Sequence, residues 1–149
     1  MNQLRSRWLA LALCCSATLA SAQIKVENAW VRATVPGQQA TGAFMKITSA
    51  EPVKLMSVAT PAASINEIHE MKMEGGVMKM RAHIGGLEIP ANATVELKSG
   101  GYHVMMMDLT QTIKSGQTVP LELLFADAKG LKRTVSVSAR TSFKDPYQK

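Results

Sequence analysis

The sequence predicts an all-β protein of about nine short, mostly antiparallel strands, folded into a two-sheet sandwich or flattened barrel. Apolar and polar residues alternate along run after run, as they do where one strand face meets a core and the other meets water. Gly, Pro and other turn residues separate those runs at regular intervals, and no window sustains a period of 3.6. Short strands with wet outer faces are stable when their inner faces pack against each other, which favours two layers.

IKVENAWVRAT (24–34) ends at the turn Pro36-Gly37, and TGAFMKITSA (41–50) stops before Glu51-Pro52. VKLMSVAT (53–60) ends at Pro61. SINEIHEMKM (64–73) turns at Gly75-Gly76 into VMKMRAHI (77–84), a hairpin signal. Gly85-Gly86 and Pro90 break the chain before TVELKSG (94–100) and YHVMMMDL (102–109). QTVPLELLFAD (117–127) and LKRTVSVSART (131–141) follow, joined at Ala128-Lys129-Gly130. In the last run Val135, Val137 and Ala139 point inward between Ser136 and Ser138. The closing FKDPYQK reads as a short polar tail.

Ahead of these strands, Arg5 and Arg7 precede an apolar run from Trp8 to about Leu19 and then Ala20-Ser21-Ala22. This is the pattern of an export signal cleaved after residue 22, leaving one domain over 23–149. The run is shorter than the roughly 20 residues a membrane span needs, so no stable membrane insertion is expected. A lipid-anchored form would need a small residue before the acylated cysteine, but Leu13 precedes Cys14. Cleavage would remove both Cys14 and Cys15. The mature chain would then have no disulfide, no thiol chemistry and no thiolate metal ligand, which excludes a type 1 copper site.

Of 17 basic residues, Arg5 and Arg7 leave with the signal; the remaining 15 face 11 acidic ones, a net charge of +4. They are scattered singly and aromatic residues are few, so no nucleic-acid surface is predicted. Enzymatic motifs are also missing: there is no G-x-S-x-G elbow, and without Cys14 and Cys15 no cysteine nucleophile.

All three histidines and seven of the ten methionines lie in the stretch from His69 to Met107, both ends included. Without Met1 the mature chain has nine Met against eight Leu, an inversion of ordinary usage. Methionine fills cores, and a Met-rich core or partner surface is one reading of the cluster. Thioether sulfur and imidazole nitrogen are also the donors that soft, low-charge Cu(I) prefers. A two-residue turn at Gly75-Gly76 would set Met71 opposite Met80 and Met73 opposite Met78. Alternation places His69, Met71, Met73, Met78 and Met80 on one hairpin face, and His103, Met105 and Met107 on one face of the later strand. His83, near a Gly-Gly turn, reads as an exposed histidine.

His69, Met80 and the pair His103-x-Met105 resemble the His/Met signature of the periplasmic copper chaperone family PCu(A)C. Supporting stretches are NAWVRATVPGQQATGAFM, EIHEMKMEGGVMKMR, GLEIPANATVELKSGGYHVMMMDL and TVPLELLFADAKGLKRTVSV. The family places ten residues between the first His and the Met, as residues 70–79 do here. Its next spacing is usually 21 residues, whereas residues 81–102 make 22, and the surplus falls most simply in the Gly85-Gly86 loop.

The resemblance implies a cupredoxin-like fold, a periplasmic location and Cu(I) as the ion carried, with Cu(II) open as a second. It implies His69, Met80, His103 and Met105 as ligands, with Met71, Met78 and Met107 as secondary candidates. The implied recipient is the copper site of a respiratory oxidase, reached directly or through another assembly factor. The carrier is expected to be a monomer and not an enzyme. A copper-sequestering protein without a recipient and a metal-free Met-rich interaction module are the competing readings. The family's tail-borne second site is not expected, because this sequence ends without a His/Met-rich tail.

Overall fold

The computed structural model describes residues 23–148; the export signal expected over 1–22, with Cys14 and Cys15, lies outside them. The strands are β1 (Ile24–Arg32), β2 (Ala40–Ser49), β3 (Val53–Ala59), β4 (Ala63–Glu74), β5 (Val77–Ala82), β6 (Leu87–Ile89), β7 (Thr94–Leu97), β8 (Tyr102–Leu109), β9 (Thr118–Asp127) and β10 (Lys132–Ser142). They form one unclosed sheet in the order β5-β4-β8-β2-β1-β10-β9-β3-β6, with β7 also paired to β2. Only β1 and β10 run parallel within that sheet. Among the described residues no helix is long and apolar enough to cross a membrane.

The sheet bends over its own core. Near one edge, Ile68 of β4 and Val104 and Met106 of β8 are buried. They belong to the same apolar cluster as Leu55, Ile89, Leu121, Leu123 and Phe125, from β3, β6 and β9 at the other edge. The bend is helped by a fork at β2, whose first half pairs with β8 and whose second half pairs with β7. A register shift in β1 between Glu27 and Trp30, with Asn28 at φ 53°, adds a second kink. The all-β expectation therefore holds. Alternation in the last strand holds too, with Ala139 buried and Ser136 and Ser138 exposed.

Two expectations are corrected. There are ten described strands rather than about nine, because residues 87–89 pair with β3 as Val53↔Ile89 and Leu55↔Leu87. Gly86 permits that approach: its φ is +83°, and a Cβ there would come within 2.9 Å of the Leu55 carbonyl oxygen. The tail is also not simply polar. Phe143 and Tyr147 line, with Trp30 and Phe44, a cleft of about 410 Å³.

The β4–β5 hairpin has the expected register, Met71↔Met80 and Met73↔Met78. Both turn glycines have positive φ, 58° at Gly75 and 78° at Gly76, which a two-residue hairpin loop of type I′ requires. Every residue of β5 is exposed, so that strand adds nothing to the core.

Candidate metal site

The outer face of β4 and β8 is built by simple alternation. Ile68, Val104 and Met106 point into the core, so His69, His103, Met105 and Met107 must point away from it. His69 and His103 lie directly opposite each other across β4–β8, their rings edge to face with centroids 5.9 Å apart. On one side of this pair Met71 meets Met80 across the hairpin. On the other side Met105 sits between Glu67 of β4 and Gly42 of β2. Met71, Met80, His103 and Met105 share one open cleft of about 280 Å³. Their strand positions are about 5 Å apart between neighbouring strands and about 7 Å apart along one strand. Flexible methionine side chains span such gaps.

Hydrogen bonds settle which ring nitrogens are free. His103 Nδ1 lies 3.1 Å from the Gly101 carbonyl oxygen, which can only accept, so Nδ1 carries the proton and Nε2 the lone pair. His69 Nε2 lies 2.8 Å from a Glu67 carboxylate oxygen and donates to it. That leaves His69 Nδ1 with the lone pair, buried and without a hydrogen-bond partner. A buried orphan acceptor costs stability unless something occupies it. Orienting a ligating imidazole through its second nitrogen is the usual device of metal sites.

One wall of the cleft is aromatic. Trp30 and Phe44 stack at 4.6 Å, and the Phe44 ring stands 6.3 Å from that of His103. Phe44 occupies space that a side chain at Gly42 would need, since a Cβ there would meet Phe44 Cζ at 2.8 Å. The Arg32 guanidinium lies 5.5 Å from the Phe44 ring, and Arg32 also lines the cleft. Among the described residues no three His, Cys, Asp or Glu side chains gather as a metal-holding group. The further soft side-chain donors that line the cleft beside His103 are the thioethers of Met71, Met80 and Met105, and a cation beside the cleft penalises a highly charged ion.

Residues 24–137 match the LpqE-like family, described as "Putative lipoprotein LpqE-like". The chain belongs to the LpqE-like family. Among its relatives is the "Putative lipoprotein Lxx21020" of Leifsonia xyli subsp. xyli (strain CTCB07), 29% identical over 125 residues, 84% of this chain and 75% of that one. The solution structure of CuI-DR1885 from Deinococcus radiodurans is 33% identical, covers 83% of this chain and 78% of its own, and superposes with a TM-score of 0.62. The copper-bound PCuAC domain from PmoF2 is 20% identical with a TM-score of 0.59, covering 80% and 93% of the two chains; at that identity the likeness is one of fold.

Within this LpqE-like chain the site residues named from sequence divide clearly. Met80 lines the cleft, while Met78 pairs with Met73 one step nearer the hairpin turn. Met107 lies one step beyond Met105, opposite Ile65, and does not line the cleft. His83 is a correction. It is half-buried, with its ring 5.2 Å from that of Tyr102 and its Nδ1 3.8 Å from Glu70. Glu70 and Tyr102 alternate with His69 and His103, so His83 packs on the reverse side of β4 and β8. Sequence reasoning missed Glu67, Gly42, Trp30, Phe44 and Arg32. Gly42-x-Phe44 and Glu67-x-His69 are both same-face pairs by the period of two, but that spacing alone does not say that the carboxylate bonds the imidazole.

Burial holds His103 below its usual pKa of 6.5; the Gly101 carbonyl opposes this, and repulsion from Arg32, and from His69 when that ring is protonated, adds to it. With the folded value depressed, the unfolded chain takes up a proton first as pH falls below about 6.5. The metal-free protein should therefore lose stability from about pH 6.5 down to the folded pKa, and regain it as pH rises through the same window. Urea unfolding at pH 7.5 and 5.5 checks this. His103→Gln should show a shallower fall than the parent, and an equal slope in both proteins would contradict the assignment.

Proposed function

We propose that this chain is an exported carrier of Cu(I) that binds the ion through His69, Met80, His103 and Met105, with Met71 in reserve beside Met80. The observation that carries the reading is the facing imidazole pair, each ring with one nitrogen engaged in a hydrogen bond, with His103 lining a cleft beside Met71, Met80 and Met105 and His69 directly opposite His103 on the next strand. Four neutral, polarizable donors suit Cu(I) and give no position for a catalytic water. Thioethers have no proton to lose and cannot be consumed by disulfide formation in an oxidising compartment. The Cu(I) named for the Deinococcus relative supports the same ion here. The lipoprotein descriptions in the family support export, to the periplasm and by a cleavable signal in our reading.

The ion is delivered to the copper site of a respiratory oxidase, directly or through an assembly factor. The exposure of Met80, 49%, supports exchange over permanent storage, because an incoming ligand can reach the metal there. Anaerobic Cu(I) titration against a competing chelator tests the site. One tight equivalent is expected in the parent and in Met78→Leu, and an affinity at least about tenfold lower in Met80→Leu. Equal loss in both variants would overturn the ligand choice. Delivery is tested in a deletion strain, where oxidase activity should fall and recover with added copper; unaffected oxidase activity would leave sequestration as the function.

A further inference from the structure

The Met73–Met78 pair is left unexplained by the cleft. It sits nearer the hairpin turn than Met71 and Met80, on the same face. Met73 is 60% exposed and Met78 42%. Glu74 and Val77 flank the two-residue turn, so they form the first hydrogen-bonded pair. Counting from there, Met73↔Met78 and Met71↔Met80 both fall at non-hydrogen-bonded positions, where side chains approach most closely. The reverse side of the ribbon is charged: Glu74 pairs with Lys79 and with Arg81. One side of the hairpin therefore carries ion pairs and the other a ladder of four thioethers running from the tip to the cleft. A core role is excluded for Met78 and Met80, since all of β5 is exposed.

We propose that Met73 and Met78 form a second, weaker Cu(I) site that receives the ion and passes it to the cleft through Met71 and Met80. Two thioethers make an incomplete Cu(I) shell, so the site binds loosely and leaves room for a ligand of the donor. The next methionine pair lies about 7 Å along the ribbon, a short step for long side chains. Copper stays Cu(I) throughout: a thioether of the next pair adds as one of the last pair leaves, and no electron or proton moves. The proposal rests on the cleft as the copper site, and the test keeps the two apart.

Cu(I) is titrated anaerobically into the full mature chain carrying methyl-labelled methionine, and the methyl resonances are followed by NMR. The first equivalent should shift Met80 and Met105. Further copper should shift Met73 and Met78. In the double variant Met73→Leu/Met78→Leu, which keeps apolar bulk but removes sulfur, the tight equivalent should remain within about twofold. Its loading rate from a copper–chelator complex should fall by roughly tenfold, because the ion is no longer held at high local concentration beside the cleft. Unmoved Met73 and Met78 methyls at excess copper, or an unchanged loading rate, would overturn the proposal. Failure of Met80 and Met105 to shift at the first equivalent would instead overturn the cleft reading.

Discussion

Replacing His103 by alanine is expected to weaken Cu(I) binding at least about 100-fold, about 2.8 kcal/mol at 1.4 kcal/mol per decade. Removing a partner that merely orients a metal-bound ligand already costs about 10–100-fold, and His103 is proposed to touch the ion. Its contribution is large because it is fixed before the metal arrives. The residue is 6% exposed, its ring Nδ1 is held by Gly101, and the Phe44 ring stands 6.3 Å from its own. Little ordering remains to be done on binding. The control is His83→Ala, whose ring packs against Tyr102 on the other side of the sheet and should leave affinity unchanged. Chelator competition, with circular dichroism to verify folding, decides the matter. A His103→Ala affinity within about threefold of the parent would remove this residue from the ligand set.

Met106→Ala should do the reverse. Met105 and Met106 are adjacent in sequence, but one lines the cleft and the other is fully buried among the core residues. Truncating a buried methionine costs about 2–5 kcal/mol, transfer and cavity together, which corresponds to a fall in Tm of roughly 10 °C or more. Copper stoichiometry below the melting transition should stay at the parent value. Met105→Leu should weaken copper binding while costing less than about 1.5 kcal/mol, since the swap nearly conserves volume. Urea unfolding of the two variants beside a Cu(I) titration separates the roles. A Met106→Ala change that spares stability but removes copper would mean that the strand faces are assigned the wrong way round.

These contrasts were open to sequence reasoning because strand periodicity is strict. A period of two sends Met106 inward and Met105 outward without any knowledge of the neighbouring strands. The hairpin register was legible for a similar reason, since two glycines at positive φ close a two-residue loop and fix every pair behind it. What stayed hidden depends on breaks in that period or on distant partners. Ala29, Trp30 and Val31 are buried in succession, because the kink at Asn28 interrupts alternation and turns Trp30 onto Phe44. β6 is three residues long, too short to show a period, and exists because Gly86 lets the chain lie against β3. The Glu67 clamp on His69 involves two residues on one strand, yet only the cross-strand placement of His103 gives it a purpose.

The full exposure of β5 has a consequence for how such a carrier would let go. His69, His103 and Met105 stand on strands anchored by buried neighbours, whereas Met80 stands on a ribbon held by its ladder with β4 and by surface ion pairs. Local opening free energies follow burial, and an edge ribbon without core contacts lies at the cheap end of that range. Fraying of β5 lifts one thioether away while the folded body and both imidazoles stay in place. The work of surrendering the ion is thereby separated from the work of unfolding, and a recipient needs to outcompete one sulfur at a time.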